Sequence, residues 1–464
     1  MLKNFTLFTL LVTLYIPLEI CAQNVIPIPS SSQLKWQNAE LTAVFHYDLH
    51  VFDGKKYNQA ENRITPILDY NIFNPVKLDT DQWIKAAKDA GFKIAILTAT
   101  HETGFALYQS KVNPYSLRAV NWRDGKGDIV RDFVNSCRKY GIAPGIYIGI
   151  RWNSFYGIHD FKVQGETEFS KNRQDYYNKM CEGMVRELCS NYGDLAIVWF
   201  DGGAHGPEQG GPDVLSIFEE LQPNGLFYHN LQRADIRWGG SESGTVAYPC
   251  WGTYETPTWF NNKGVDIDFR PLKYGNPDGA YYIPAMSDAP LRGYNGRHEW
   301  FWEPGDEEHI FPLEQLMDKY YKSVGRNSTL IMGLTPDPTG LLPEPDVQRL
   351  KEWGAEIKSR FAVPLAKTSG KGKKLVISLN ERTNMNHIVL QEDISKGERV
   401  RKFTLEGKTE NGWQTLFEGS SIGHKFIHVF DEIEVSHIRL KIIESIGEPM
   451  IQSFEIFSIK DKGV

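Results

Sequence analysis

The sequence predicts a (β/α)8-type barrel over residues 23–361, followed by an antiparallel β-sandwich over residues 375–464. Up to residue 361, short apolar runs alternate with longer helical patterns, which indicates parallel βα units. About eight such units fit one barrel with long loops better than two doubly wound sheets. From residue 375, apolar and polar residues alternate in short runs between turn residues, which is typical of a small β-sandwich. The small, basic stretch 362–374 is predicted to be a linker.

The predicted elements of the barrel alternate along the chain. Strands are predicted at Leu41–His46, Lys93–Ala99, Ala143–Ile150, Asp194–Phe200, Leu226–Asn230, near Ala280–Pro284 and at Thr329–Leu334. Helices are predicted at Asp79–Ala90, Gly127–Tyr140, Lys171–Asn191, Asp213–Leu221 and Leu313–Val324. Asp79 or the residues after it can cap the first of these helices, and Gly91 can end it.

Composition excludes some classes of partner. The chain has 464 residues, with 51 Lys and Arg against 58 Asp and Glu, and a formal charge of −7. This balance gives no overall field that would attract nucleic acid or an anionic membrane. Aromatic residues make up 12% of the chain and include twelve Trp. Because aromatic faces suit sugar rings, this excess hints at a carbohydrate ligand. The sequence gives no indication of oligomeric state.

Residues 1–22 are predicted to be a signal peptide, so we expect an exported protein. Lys3 supplies the positive charge, residues 5–16 the apolar segment, and Cys21-Ala22 a cleavage site with a small last residue. The apolar segment is too short for a transmembrane helix. Lipidation of Cys21 is the disfavoured alternative, because Leu18-Glu19-Ile20 makes a poor lipobox.

The remaining cysteines indicate neither a disulfide framework nor a metal site. They are scattered through the chain, and no pair of them has the spacing of metal ligands. These residues are Cys137, Cys181, Cys189 and Cys250. We therefore expect no metal and no cofactor.

Carboxylates, histidines and aromatic residues follow the predicted strands. Active sites of such barrels lie at the carboxyl ends of the strands. These ends carry His46-Tyr47-Asp48, His101-Glu102, Tyr147 with Arg151-Trp152, Trp199 with Asp201, and the run Arg237–Gly244. A glycosidase needs two carboxyls beside the anomeric carbon, donors for the hydroxyls and aromatic walls for the ring. The coincidence of these residue types at one rim predicts a glycosidase.

Several motifs, in order along the chain, resemble those of the α-L-fucosidases of glycoside hydrolase family 29. The resemblance covers roughly residues 36–460. Its main blocks are Leu97–Phe105 (LTATHETGF), Trp122–Asp128 (WRDGKGD), Val198–Gly202 (VWFDG) and Val324–Asn327 (VGRN). The resemblance implies a retaining exo-glycosidase that removes terminal α-L-fucosyl residues from a glycan. It also implies a C-terminal β-sandwich.

The resemblance assigns the two catalytic carboxyls. Asp201 stands where the family has its nucleophile. Arg237–Gly244 (RWGGSESG) resembles a stretch of the subgroup that prefers α-1,3/1,4-linked fucose, which makes Glu242 the expected general acid/base. Glu255 is the rival for that role. Asp288 and Glu299 are further alternatives.

Other positions match the sugar contacts of the family. His46, His101, Tyr147, Trp199, Arg237 and Trp300 are the expected contacts with the sugar in the glycone subsite. A histidine at the end of a strand is often only a structural hydrogen bonder, and an aromatic run is often only packing. The family assignment favours sugar binding for these residues, except that for Trp300 packing stays an equal alternative.

Two added carboxylates depart from the family pattern. The chain has His101-Glu102-Thr103 where the family has His-His-Asp, and His46-Tyr47-Asp48 where it has His-Phe-Gly. An ionised carboxylate only accepts hydrogen bonds, whereas a neutral histidine can also donate. Asp48 and Glu102 can therefore bind an extra hydroxyl, such as that on C6 of L-galactose. The alternatives to a fucosidase are an α-L-galactosidase with the same mechanism and a non-catalytic glycan-binding barrel.

Overall fold

An eight-stranded parallel sheet forms the centre of the computed structural model, which describes residues 26–260, 269–297 and 300–460. The predicted signal peptide, with Cys21, and the alternative acid Glu299 lie outside these residues. The strands that precede the C-terminal sandwich in the chain are β1 (Leu41–Phe45), β2 (Ile94–Thr100), β3 (Ala143–Ile148), β4 (Ile158–His159), β5 (Lys162–Val163), β6 (Ile197–Ala204), β7 (Leu226–Asn230), β8 (Arg237–Trp238), β9 (Thr253–Tyr254), β10 (Tyr281–Tyr282), β11 (Ala285–Pro290) and β12 (Ser328–Leu334).

The order of the strands in this sheet is that of a (β/α)8-type barrel. It runs β7-β6-β3-β2-β1-β12-β11-β8, and neighbouring strands are parallel. The two edge strands, β7 and β8, are consecutive in the chain, so the sheet curls into a nearly closed barrel. The fold class predicted from the sequence is confirmed for this region.

Helices connect the strands and cover the barrel. They are α1 (Ser31–Ala39), α2 (Gln59–Asn62), α3 (Thr80–Asp89), α4 (Ile129–Tyr140), α5 (Glu168–Asn191), α6 (Val214–Leu221), α7 (Phe269–Tyr274), α8 (Leu313–Lys322) and α9 (Glu344–Phe361). The side chain of Asp79 caps α3 by accepting from the backbone N–H of Gln82. Gly141 ends α4 at φ 72°, which glycine adopts without strain. Within the described residues, no helix is both long and apolar enough to cross a membrane.

Two local predictions were wrong, and one strand was missed. The strand expected near residues 280–284 is β10, which pairs antiparallel with β9, while the barrel strand is β11. Because β11 contains Ser287, Asp288 and Pro290, its apolar pattern is broken. The two-residue strand β8 was not predicted, since it is too short to show any periodicity. The predicted linker, residues 362–374, contains a regular strand at Ala366–Lys371.

The C-terminal region is an antiparallel β-sandwich, as predicted. Its strands are β13 (Ala366–Lys371), β14 (Lys374–Glu392), β15 (Val400–Thr409), β16 (Gly412–Gly419), β17 (Phe426–Ser445) and β18 (Met450–Phe457), paired in the order β13-β18-β14-β17-β15-β16. Two register shifts interrupt the pairing of the long strands β14 and β17, and such bulges bend strands. The sheet thereby encloses its own apolar core, in which Ile388, Leu390 and Phe454 are fully buried.

A buried carboxylate joins the sandwich to the barrel. Glu398, just before β15, accepts hydrogen bonds from the backbone N–H of Gly252 (2.9 Å) and from Nδ2 of Asn327 (2.6 Å). Asn327 also donates to the carbonyl of Cys250 (3.0 Å) and accepts from the backbone N–H of His424 (2.7 Å). The sandwich therefore fixes the segment that follows β8 in the barrel, which is a bracing role.

We expect Glu398→Ala to destabilise the whole protein. The substitution leaves the Gly252 N–H without its buried acceptor and removes one of the two acceptors of the Asn327 amide, at a cost of about 2–3 kcal/mol in the free energy of unfolding. Urea unfolding followed by Trp fluorescence measures this. Glu410→Ala, at an exposed position of the same domain, is the control and should change stability by less than about 0.5 kcal/mol. Equal stability of both variants would contradict the bracing role.

Candidate active site

The carboxyl ends of the barrel strands surround one pocket of about 280 Å³. Cavities of this size suit a single sugar unit rather than a long chain. Its lining residues are His46, Tyr57, Gln59, His101, Glu102, Tyr147, Trp199, Asp201, Glu242, Asp288 and Trp300. The structure thus brings together both predicted catalytic carboxyls and six of the eight predicted sugar contacts, all but Asp48 and Arg237.

Asp201 lies in β6, where the strand opens into the pocket. Its Oδ2 accepts a hydrogen bond from the hydroxyl of Tyr147 at 3.2 Å. Asp201 is exposed to solvent through the open pocket. The surrounding protein still desolvates its carboxyl in part, and this desolvation, together with the charge of Glu242, raises the pKa of Asp201 above its ordinary value. Tyr147, the backbone of Gly202 and the guanidinium of Arg151 act in the opposite direction. The net effect of these opposing influences is a raised pKa, so Asp201 keeps its proton to a higher pH than an ordinary aspartate does.

Glu242 reaches the same pocket from the loop after β8. Its Oε2 accepts a hydrogen bond from Nε1 of Trp300 at 2.9 Å. The rival carboxyl, Glu255, is exposed and does not line the pocket, and its Oε1 accepts from the side chain of Asn276. Of the two carboxyls, the geometry therefore supports Glu242 as the partner of Asp201. Trp300 therefore has a role beyond packing, because its ring N–H orients the carboxyl of Glu242.

Three polar ring atoms of the pocket lack a hydrogen-bond partner among the described residues. They are Nδ1 of His46, Nδ1 of His101 and Nε1 of Trp199. Burial lowers the pKa of His46 to about 3 and the pKa of His101 well below its ordinary value. Both imidazoles are therefore neutral near pH 7 and can donate or accept. These three atoms are themselves buried from solvent, so the rings line the pocket through their remaining atoms.

Glu102 also lines the pocket, but it is already paired. Its Oε1 accepts from Nε (2.8 Å) and Nη2 (2.7 Å) of Arg63, and its Oε2 accepts from the hydroxyl of Tyr57 (3.2 Å). Burial raises the pKa of Glu102, and Arg63 opposes that rise. The guanidinium of Arg63 also lies over the ring of Trp152, 4.3 Å from its centroid. Glu102 therefore anchors the loop after β1 to the wall of the pocket.

Two predicted sugar contacts, Asp48 and Arg237, do not line the pocket. Asp48 is buried, and its Oδ1 accepts from the hydroxyl of Thr103 at 2.6 Å. The guanidinium of Arg237 is fully buried and donates to the carbonyls of Leu272 (3.0 Å) and Ile283 (2.6 Å). Each side chain satisfies neighbouring backbone or side-chain groups, so the structure corrects the prediction that they bind sugar.

Comparison with known families identifies the family of the chain. A sequence model described as "Alpha-L-fucosidase" matches residues 28–359, which is more than half of the chain. The chain belongs to the α-L-fucosidase family.

Related proteins extend over almost the whole of this α-L-fucosidase. A crystal structure of a "putative alpha-L-fucosidase" from Bacteroides thetaiotaomicron is 59% identical, with a TM-score of 0.92, and covers 94% of this chain and 100% of that chain. A glycoside hydrolase 29 family member from an unknown rumen bacterium is 28% identical, with a TM-score of 0.79, over 95% of this chain and 79% of that one. The "Putative alpha-L-fucosidase 1" of Oryza sativa is 30% identical over 94% of this chain and 86% of that protein.

Some residues in or beside the pocket of this α-L-fucosidase were not predicted as sugar contacts from the sequence. Tyr57, Gln59 and Arg63 lie in the long segment between β1 and α3, which contains the short helix α2 and shows no motif. The sequence indicates Arg63 only indirectly, because a buried carboxylate such as that of Glu102 needs a cation nearby. For Asp288, the sequence predicts only the role of an alternative acid.

Proposed function

We propose that Asp201 and Glu242 carry out the α-L-fucosidase reaction of this protein by double displacement, with retention of the anomeric configuration. The observation that supports this is the meeting of the two carboxyls, from β6 and from the loop after β8, in one pocket of sugar size. Asp201 attacks the anomeric carbon and forms a glycosyl-enzyme. Glu242 protonates the departing oxygen and then takes a proton from the water that hydrolyses the intermediate.

The surroundings of Asp201 suit a nucleophile. A nucleophilic carboxyl must be ionised, and the Tyr147 hydroxyl and the Arg151 guanidinium both favour its charged form. The charge of Glu242 disfavours it. The negative charge is therefore most stable on Asp201 when Glu242 holds a proton, which is the protonation state that the first step requires.

The side chains of His46, His101 and Trp199, which line the pocket, are the proposed contacts for the sugar. Neutral histidines suit this role because a hydroxyl both donates and accepts. Tyr147 extends the wall, since its ring stacks on that of His101 at 5.2 Å between centroids. These groups would hold one terminal residue of a fucosylated glycan, which accounts for exo-action.

Residues 1–22 support export of this enzyme. The segment has the charge, apolar length and cleavage site of a signal peptide. An exported α-L-fucosidase would meet fucosylated oligosaccharides or glycoconjugates outside the cytoplasm.

The stretch Arg237–Gly244 supports a preference for α-1,3/1,4-linked fucose.

We expect Glu242→Gln to lose acid catalysis and to leave the acidic limb of the pH profile in place. For a fucosyl disaccharide, kcat/KM should fall by about 10²–10⁴-fold. An aryl fucoside with an activated leaving group should lose less, because it leaves without protonation. Glutamine carries no charge beside Asp201, and neither does the protonated acid that the first step requires, so the acidic limb of kcat/KM, which reports ionisation of the nucleophile, should stay in place. Steady-state kinetics across pH on both substrates measure these effects.

Glu255→Gln is the matched control for this test. Glu255 is exposed and lies outside the pocket, so its substitution should leave both rates and both limbs unchanged. If Glu255→Gln lost activity and Glu242→Gln kept it, the assignment of the acid would be wrong.

A second candidate glycone is α-L-galactose, and the position of Glu102 favours it. Oε2 of Glu102 accepts only the Tyr57 hydroxyl among the described residues, at 3.2 Å. A carboxylate oxygen has two lone pairs, so Oε2 can accept a further hydroxyl, such as the one that L-galactose carries on C6. Asp48 lies outside the pocket, so this hypothesis depends on Glu102 alone.

The galactoside hypothesis predicts similar kcat/KM values, within tenfold, for aryl α-L-galactoside and aryl α-L-fucoside. It also predicts that Glu102→Gln lowers the galactoside value by about tenfold more than the fucoside value, since a hydrogen bond to a charged acceptor contributes about 1.5–3 kcal/mol. The fucoside rate of the same variant is the internal control. A hundredfold preference of the unaltered enzyme for the fucoside would reject the hypothesis.

A further inference from the structure

A groove of about 560 Å³ lies outside the pocket, between the start of α5 and the segment that joins β3 to β4. Four aromatic side chains, one amide and one guanidinium line it: Phe155, Tyr156, Phe169, Tyr176, Asn172 and Arg173. None of these residues lines the pocket that holds Asp201 and Glu242. The groove is therefore separate from the active site.

The first turns of α5 turn an exposed aromatic face toward this groove. Phe169, Asn172, Arg173 and Tyr176 recur at spacings of three and four residues, which places them on one face of the helix. The side chain of Phe169 is 73% exposed and that of Tyr176 is 48% exposed. Exposed apolar side chains that cluster in this way indicate a binding surface, whereas scattered ones do not.

The opposite wall of the groove is ordered before any ligand binds. The ring of Phe155 stacks on that of Tyr115, with 4.1 Å between the centroids and 8° between the planes. The backbone N–H of Tyr156 donates to Oδ1 of Asn153 at 3.0 Å. Because these contacts already fix the wall, a ligand would lose little affinity to the ordering of side chains.

This wall is joined to the wall of the active-site pocket. The N–H of Ser154 donates to the carbonyl of Glu102 at 3.1 Å, and Glu102 lines the pocket. The ring of Trp152 lies under the guanidinium of Arg63, which pairs with Glu102. The groove thus adjoins the pocket of an α-L-fucosidase, where the molecules that arrive are glycans.

The charge in the groove is positive. Arg173 is the one charged side chain among the lining residues, and it makes no ion pair and no hydrogen bond with the described part of the chain. Its guanidinium lies beside the turn at Gly157, since a Cβ built on that glycine would be 3.5 Å from Nη2. A guanidinium binds oxyanions through paired hydrogen bonds. An anionic ligand therefore complements this groove.

We propose that the groove is a second carbohydrate-binding site, which takes an acidic sugar of a glycan. Phe169 and Tyr176 contact the apolar face of the sugar ring, because aromatic side chains offer a large contact area with little flexibility. The amide of Asn172 binds hydroxyls, since it both donates and accepts. Arg173 binds the carboxylate or sulfate group of the sugar. The proposal does not depend on the roles of Asp201 and Glu242.

Oligosaccharides without fucose test the groove while leaving the glycone subsite without its sugar. The probes are sialyllactose, which carries a carboxylate, sulfated lactose, and lactose itself as the neutral parent. Each is titrated into the full chain by isothermal titration calorimetry. We expect an acidic probe to bind at least tenfold more tightly than lactose. The acidic probe that binds more tightly distinguishes a carboxylate from a sulfate as the preferred anion.

Arg173→Gln should lower the affinity for the acidic probes by tenfold or more, because it removes the charged donor. Phe169→Ala should lower the affinity for the same probes through loss of the stacking surface. Lys171→Gln, the matched control, removes a cation from an exposed position of α5 that does not line the groove, so it should leave the affinities unchanged. All three variants should keep kcat/KM for an aryl fucoside within twofold, which shows that fold and pocket are intact.

Absence of binding by every probe, or equal affinities in Arg173→Gln and Lys171→Gln, would overturn the proposal. A dimer in sedimentation velocity that Phe169→Ala dissociates would also overturn it, because a second copy would then cover the groove. These outcomes are independent of the proposed function. Full activity of Glu242→Gln would reject the proposed acid alone, whereas lost binding with normal fucosidase activity would reject the groove alone.

Discussion

Repulsion between neighbouring carboxyls is the constraint on which the site depends. Asp201, Glu242 and Asp288 come from different parts of the barrel and interact electrostatically in one pocket. Three negative charges in one pocket would be costly, so the pocket favours states in which at least one proton is held. Retaining hydrolysis uses such a state, with one carboxyl ionised and another protonated. The same repulsion that opposes folding of the site thus prepares it for the reaction.

The rest of the molecule holds these charges in place. Parallel strands bring their carboxyl ends to one rim, and β11 fixes the loop of Glu242 through backbone bonds at Met286 and Asp288. Farther out, Glu398 of the sandwich binds the segment that follows this loop. The sandwich therefore contributes to the site without lining it, because it limits how far the segment after β8 can move.

The sequence was sufficient to predict the fold class and most of the pocket. Apolar runs buried on both faces marked strands such as β7, and the motif around Asp201 marked a strand end. The sequence could not predict β8, because two residues are too few to show a period. It could not predict β11, because Asp288 interrupts the apolar run of this strand. The error at Asp48 and Arg237 has another cause. Both residues lie beside motifs that resemble those of the family. Their side chains nevertheless form hydrogen bonds with neighbouring groups outside the pocket, such as Thr103 beside Asp48, and these groups come together only in the folded chain.

The most direct measurement is the trapping of the glycosyl-enzyme. A 2-deoxy-2-fluoro-L-fucosyl fluoride slows the second step of a retaining enzyme more than the first, so the covalent intermediate accumulates. After digestion with a protease, mass spectrometry locates the labelled residue. The double displacement proposed for this pocket predicts one label, on Asp201. A label on Glu242 or Asp288, or no label while the enzyme is active on fucosides, would contradict it.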